Sequence, residues 1–326
     1  MNFTHETLPQ RVVFASGQAF TRLPEEVARF GERPLVISTR ADGVLPGAAY
    51  FREVAMHVPV EVANRAREAA EKHDVLVSVG GGSTTGLAKA VALTTGLPIV
   101  AVPTTFAGSE ATNVWGLTEN GRKTTGSDDR VLPRTVLYDA ALTLPLPDDM
   151  AVASGLNALA HCVDSMWAPR ADPINQTLAL EGIRALRAGL PRHDLEGREQ
   201  TLYGAHLAAV AFASAGSGLH HKICHVLGGM FNLPHAQTHA VVLPHVTALN
   251  ISGVPPHIAD VLIGLRGLRE EVGAPRALRD FGFRDIDIPA AVDAILPVVP
   301  AGNPVPVTAG TLTALLHHAW AGEEPT

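Results

Sequence analysis

Residues 220–239 read HHKICHVLGGMFNLPHAQTH, five histidines within twenty residues of an otherwise apolar run. His221 and His225 stand four apart, so on a helix they project from one face, one turn above the other. Gly228 and Gly229 loosen the backbone after them, and Pro234 forces a turn just ahead of His235. Residues 156–162 (LNALAHC) repeat the spacing with Asn157 and His161. Two helices that each offer a pair of nitrogen or oxygen donors can line a single polar pocket. Imidazoles gathered in this way either hold a metal or donate and relay protons near neutral pH. One helical histidine alone is usually a satisfied core or surface group. Five in this density predict an active site, while His220, His239 and His245 are expected to be structural.

The elements that position those residues fall into two halves. Up to about residue 149, short β-branched runs alternate with amphipathic stretches. Strands are expected over 11–15, 34–38, 54–58, 75–79, 98–102 and 135–138, and helices over 23–30, 62–72 and 84–95. Nearly continuous apolar strands separated by helices imply a parallel sheet covered on both faces. Residues 138–149 (YDAALTLPLPDD) read as a boundary. Beyond it, Ala/Leu-rich segments at 151–167, 175–190, 199–215, 219–231, 258–272 and 312–321 predict helices, and strand signals nearly vanish. The expected architecture is an α/β dinucleotide-binding domain over residues 1–149, followed by an all-α catalytic domain over 150–326.

Gly80, Gly81, Gly82 and Ser83 connect the strand VLVSV to the helix that follows. Three glycines let the backbone approach a ligand closely. Ser83 is placed to cap the helix, whose N-terminus carries partial positive charge, which suits a pyrophosphate. The loop is neither the GxGxxG fingerprint nor a P-loop. One strand later comes PTTFAGSE, with Thr104 and Thr105 at the carboxyl end of the next strand, where ligands bind in such sheets. Together the two loops predict a dinucleotide. After residues 34–38 the chain has Thr39 and Arg40 but no acidic residue. An acidic residue would hold a free ribose 2′-hydroxyl, whereas Arg suits a 2′-phosphate, so NADPH is expected to be accepted alongside NADH.

Composition narrows the class further. Hydrophobic content of 46% and charged content of 17% describe a well-packed globular chain. A net charge of −7 with no Lys/Arg cluster argues against nucleic acid as a partner. No apolar run approaches the roughly 18 residues of a membrane span, and the N-terminus lacks a secretory pattern, so a cytoplasmic location is expected. Cys162 and Cys224 sit inside the two histidine-bearing helices, and a reduced pair is expected there rather than a disulfide.

The ordered set GGGSTTGLAKA (80–90), PTTFAGSE (103–110), GLTENGRKTTG (116–126), VLPRTVLYD (131–139), SGLNALAHCV (154–163) and GLHHKICHVLGG (218–229) resembles the iron-containing alcohol dehydrogenase superfamily. The resemblance spans nearly the whole chain. Within the superfamily the sequence is most similar to the maleylacetate reductases. That resemblance implies reduction of the carbon–carbon double bond of maleylacetate by NADH or NADPH, with a dimer as the expected assembly. Metal-dependent members carry Asp at the position of Asn157 and bind the metal with it and with His at the positions of His161, His221 and His235. They also carry Asp at the position of Gly86. Maleylacetate reductases resemble this sequence at both positions and generally work without metal, so no metal is expected. A three-His site with an open position stays chemically conceivable, and with it the alternative of a metal-dependent alcohol or polyol dehydrogenase. For the reduction, His225 and His221 are the expected hydrogen-bond donors to an enolate, with His161 and His235 completing the pocket and Asn157 binding substrate without charge. Lys222, Lys123 and Arg122 are the candidate partners for the two substrate carboxylates.

Overall fold

The computed structural model describes residues 2–119 and 122–325, without the side chains of Arg122 and Lys123. The chain divides into two compact units, one of residues 7–146 and 193–202, the other of residues 1–6, 147–192 and 203–326. The break between residues 146 and 147 falls inside the Pro-rich segment 138–149. Two crossings were not legible in the sequence. The N-terminal residues join the helical unit, where His5 Nδ1 meets Asp172 Oδ2 at 2.9 Å, and residues 193–202 join the sheet unit.

In the sheet unit, six strands run parallel. They are β1 (Arg11–Phe14), β2 (Pro34–Ile37), β3 (Ala49–Phe51), β4 (Val75–Gly80), β5 (Ile99–Pro103) and β8 (Thr135–Tyr138), in the spatial order β1-β8-β5-β4-β2-β3. Helices α1 (Ala19–Ala28), α2 (Val60–Ala70) and α3 (Gly82–Thr95) belong to the same unit. The central strands β2, β4, β5 and β8 are buried almost throughout, the consequence of β-branched runs packed on both faces. The expected strand over 54–58 is absent, and β3 lies a few residues earlier. Pairing parallel to β2, it is reached in only eleven residues without a helix, where such crossovers usually take a dozen or more. From β2 the chain steps outward to β3, and from β4 it steps the other way to β5. The strand order therefore reverses between β2 and β4, and a crevice opens beyond their carboxyl ends. A feature missed from sequence is the antiparallel pair β6 (Val114–Glu119) and β7 (Arg122–Ser127). The Asn-Gly between them was the available signal for a tight hairpin.

The helical unit contains α4 (Asp148–Ser165), α5 (Pro173–Gly189), α7 (Leu219–Phe231), α8 (His235–Asn250), α9 (Pro256–Ile263), α10 (Leu268–Glu271), α11 (Ile288–Ile295) and α12 (Ala309–Ala321). α6 (Leu195–Ala215) begins in the segment assigned to the sheet unit and continues into the helical one. The single helix expected over 258–272 is broken between α9 and α10. α5 and α6 approach closely where glycines face each other: a Cβ on Gly204 would lie 2.9 Å from the Gly182 carbonyl oxygen. Leu219, Ile223, Cys224 and Leu227 of α7 pack with Val241, Val242 and Val246 of α8 and with Leu312, Leu315 and Leu316 of α12. That core fixes the polar faces of α7 and α8.

Candidate active site

The loop after β4 is shaped by its glycines. Gly80 has φ +154°, and a Cβ there would lie 2.4 Å from Thr84 Oγ1. Gly81 is the N-cap of α3, in extended conformation with no side-chain cap, and its Cβ would lie 2.9 Å from Thr105 Cγ2. The helix therefore starts at Gly82, so Ser83 sits in the first turn and is not the cap expected from sequence. A first turn without a capping side chain leaves N–H groups and the positive end of the helix dipole free for an anion. The Thr104 N–H donates to the Gly80 carbonyl at 3.0 Å, which ties the loops after β4 and β5 together. Arg40 is exposed just past β2, on the other side of the crevice where strand order reverses.

Sequence reasoning gave no role to Lys89, the only charge in α3, and that isolation was its signal. It is fully buried, and Nζ donates to the carbonyls of Ser109 at 2.5 Å, Thr112 at 2.8 Å and Val114 at 2.9 Å and to Thr112 Oγ1 at 3.0 Å. Burial pushes the ammonium down to about 7. Lys89 thus anchors the segment that follows PTTFAGSE. Beneath it Tyr138 Oη donates to the buried Glu110 carboxyl at 2.9 Å.

In the helical unit, α4 supplies Asn157, His161 and Asp164, α7 supplies His220, His221, Cys224 and His225, and α8 supplies His235 and His239. The rings of His161 and His221 stack at 4.9 Å, and Phe212 of α6 lies against both, at 4.7 and 4.3 Å. His221 lies 6.0 Å from His225, and His225 lies 6.3 Å from His235. The four expected catalytic histidines are therefore neighbours, His161 and His221 buried, His225 and His235 exposed. Asn157 Oδ1, His161 Nδ1 and His221 Nε2 are buried polar atoms with no hydrogen-bond partner among the described residues. Such atoms ordinarily have one, so these mark where a ligand or water belongs. Lys222 is half-buried one residue after His221, about 100° around α7 from the His221/His225 face. Arg122 and Lys123 lie on β7, and their side chains fall outside the described residues.

Asp164 was not singled out from sequence. Its carboxylate accepts the backbone N–H groups of Gly218 at 3.0 Å, His221 at 3.1 Å and His220 at 3.3 Å, and the His221 ring Nδ1 at 2.8 Å. It sits at the N-terminus of α7, where the dipole favours an anion. Burial raises this carboxyl to about 7, against the pull of the backbone donors. Because Oδ2 already accepts two backbone N–H groups, from Gly218 and His221, the proton shared with the His221 ring belongs on Nδ1. Burial followed by the neighbouring His225 lowers His161 to about 4, and burial lowers His221 well below its ordinary value.

Behind the pocket, His220 Nε2 and His239 Nδ1 hydrogen-bond at 3.0 Å, and Cys224 Sγ lies 3.6 Å from His220 Nε2. These three ligand atoms lie within 4.8 Å of one another, close enough to hold an ion. Both cysteines are free and buried. His245 is also buried, with Nε2 unpartnered.

Residues 9–140 match the model of the iron-containing alcohol dehydrogenases, and residues 151–320 match that of the Fe-containing alcohol dehydrogenase family, C-terminal. The chain is 42% identical to maleylacetate reductase 1 of Cupriavidus pinatubonensis, over 99% of this chain and 98% of that protein. Its fold superposes on the crystal structure of an iron-containing alcohol dehydrogenase from Corynebacterium glutamicum with a TM-score of 0.96, at 56% identity, covering 100% and 98% of the two chains. The crystal structure of maleylacetate reductase from Agrobacterium tumefaciens gives 0.93 at 39% identity, with both chains fully covered. No single described helix is long and apolar enough to cross a membrane.

Proposed function

Because the chain belongs to the iron-containing alcohol dehydrogenase family, we propose that it is an oxidoreductase that uses NADH or NADPH to reduce the carbon–carbon double bond of maleylacetate, giving 3-oxoadipate. The carrying observation is the neutrality of the pocket. Asn157, His161 and His221 present unpartnered polar atoms with no carboxylate among them, and the nearby Asp164 is fully occupied by N–H donors. A dianionic substrate meets no like charge there.

When bound, the nicotinamide would supply a hydride to the alkene carbon remote from the ketone. Charge passes to the ketone oxygen as an enolate, and one proton must reach the carbon next to the ketone. Preorganised donors at that oxygen are worth most in a site that excludes water. We assign this to the group His161, His221, His225 and His235, with Asn157 hydrogen-bonding substrate and Lys222, Arg122 and Lys123 as the cations for its carboxylates. Gly80, Gly81, Gly82, Ser83, Thr104 and Thr105 are assigned to the cofactor pyrophosphate, and Arg40 to a 2′-phosphate. A homodimer in the cytoplasm completes the reading.

The family is named for iron, and the residues here fit it poorly. At the positions that hold metal in metal-dependent members, this chain offers three imidazoles and an amide, which leaves the charge of a divalent cation uncompensated. His220 and His239 spend ring nitrogens on each other, and burial pushes the Cys224 thiol well up, away from the thiolate a metal needs. We therefore route no step through a metal. Initial rates with maleylacetate and with a panel of alcohols and aldehydes, before and after exhaustive chelation, test this reading. It expects turnover of maleylacetate that survives chelation. Loss of activity restored by Fe²⁺ or Zn²⁺ would favour the metal-dependent alcohol or polyol dehydrogenase instead.

A further inference from the structure

Asp164 is wholly buried, and it receives the Nδ1 proton of His221 at 2.8 Å. Three backbone N–H groups at the start of α7 hold its carboxylate in place. The sequence makes room for this. A Cβ on Gly218 would lie 2.4 Å from Asp164 Oδ1, so only glycine lets the helix N-terminus close over the carboxylate. The other ring nitrogen, His221 Nε2, is buried and unpartnered beside His161.

We propose that Asp164 is a positioning residue that fixes His221 in the Nδ1–H tautomer, so that Nε2 alone exchanges protons or hydrogen bonds with the ligand. A carboxylate bound to one ring nitrogen sets both the ring's orientation and the role of the other nitrogen. The neutral His221 ring then offers a lone pair at Nε2, and only the protonated ring donates from it. His221 therefore relays a solvent proton, which Nε2 must first accept before passing it on, and the standing N–H donors to the enolate are its neighbours. This rests on the reduction proposed above only for what the relay serves. The tautomer itself does not depend on that reading.

The test uses the full chain labelled with ¹⁵N-histidine, the His221 signals being assigned by their loss in His221→Gln. The wild type is expected to show a protonated Nδ1 and an unprotonated Nε2. In Asp164→Asn the amide oxygen takes the seat of Oδ2 and keeps the backbone donors, but the negative charge that holds the proton on Nδ1 is lost, so the Nδ1 preference should weaken. Turnover with maleylacetate should then fall on the order of 10²-fold or more, by analogy with loss of a tautomer-fixing Asp elsewhere, while KM changes little. Asp164→Glu, which keeps the carboxylate, should recover part of the turnover. If Asp164→Asn does not fold, Gly218→Ala, which pushes the carboxylate off its seat, should weaken the Nδ1 preference and lower turnover in the same sense. A wild-type His221 protonated at Nε2 would overturn the proposal. So would normal turnover per folded molecule in the variant that folds, since a merely structural Asp164 lowers the melting temperature alone. If the tautomer is as expected but the wild type does not reduce maleylacetate, the functional reading fails and the tautomer assignment stands.

Discussion

At the scale of single residues, the site separates groups that serve the reaction from groups that hold the core. His221→Ala and His225→Ala each remove a group acting mainly in the transition state. Each should lower turnover on the order of 10²–10³-fold, about 3–4 kcal/mol, with a much smaller change in KM. His245→Ala, in the same unit but outside the pocket, should lower the melting temperature and leave turnover per folded molecule near normal. Near-normal turnover in both helix variants would reduce the cluster to a satisfied polar core. Asn157→Asp restores the missing carboxylate, and metal analysis of the purified variant should show more bound divalent metal than the wild type, together with weaker reductase activity. The spacing of Asn157 with His161 and of His221 with His225 was legible because helical periodicity alone puts each pair on one face. Asp164 was not legible. Its role depends on the N-terminus of α7 meeting α4 fifty residues away in sequence, and on Gly218 allowing contact, neither of which a local pattern encodes.

At the scale of elements, glycines decide how closely backbones approach. Gly81→Val places a branched side chain against Thr105 and the loop assigned to the pyrophosphate. The KM for NAD(P)H should rise steeply while the fold survives, and an unchanged cofactor affinity would move that site elsewhere. Gly204→Ala acts differently. Its Cβ meets the Gly182 carbonyl and the Leu186 backbone nitrogen, both at 2.9 Å, so α5 and α6 must separate. A cost of about 1–3 kcal/mol follows, read as a lower melting temperature with kinetic constants retained. The parallel sheet was legible from its apolar runs, since strands buried on both faces leave little ambiguity. The β6–β7 pair was not, because the run of Thr, Gly and Lys in β7 lacks that signal, and the helix-less step from β2 to β3 broke the alternation on which the reading relied.

At the scale of the whole molecule, buried histidines make stability depend on pH. His161, His206 and His245 are lowered to about 4 and His220 to about 3, chiefly by burial. Between these values and the unfolded value near 6.5, the unfolded chain binds more protons than the folded one, so stability falls as pH drops through that window. A ring held down to about 4 is worth on the order of 3 kcal/mol at neutral pH that is lost on acidification. The melting temperature should therefore fall steeply from pH 7 to pH 5, and less steeply in His245→Leu. A flat profile would mean that these rings are not held neutral. The most direct test of the functional account is the fate of the hydride. With nicotinamide cofactor deuterated at the transferring position, maleylacetate should give 3-oxoadipate carrying one deuterium on the methylene next to the remote carboxylate, with a solvent proton on the methylene next to the ketone. Deuterium on a carbinol carbon, from reduction of the ketone with the alkene left intact, would contradict it.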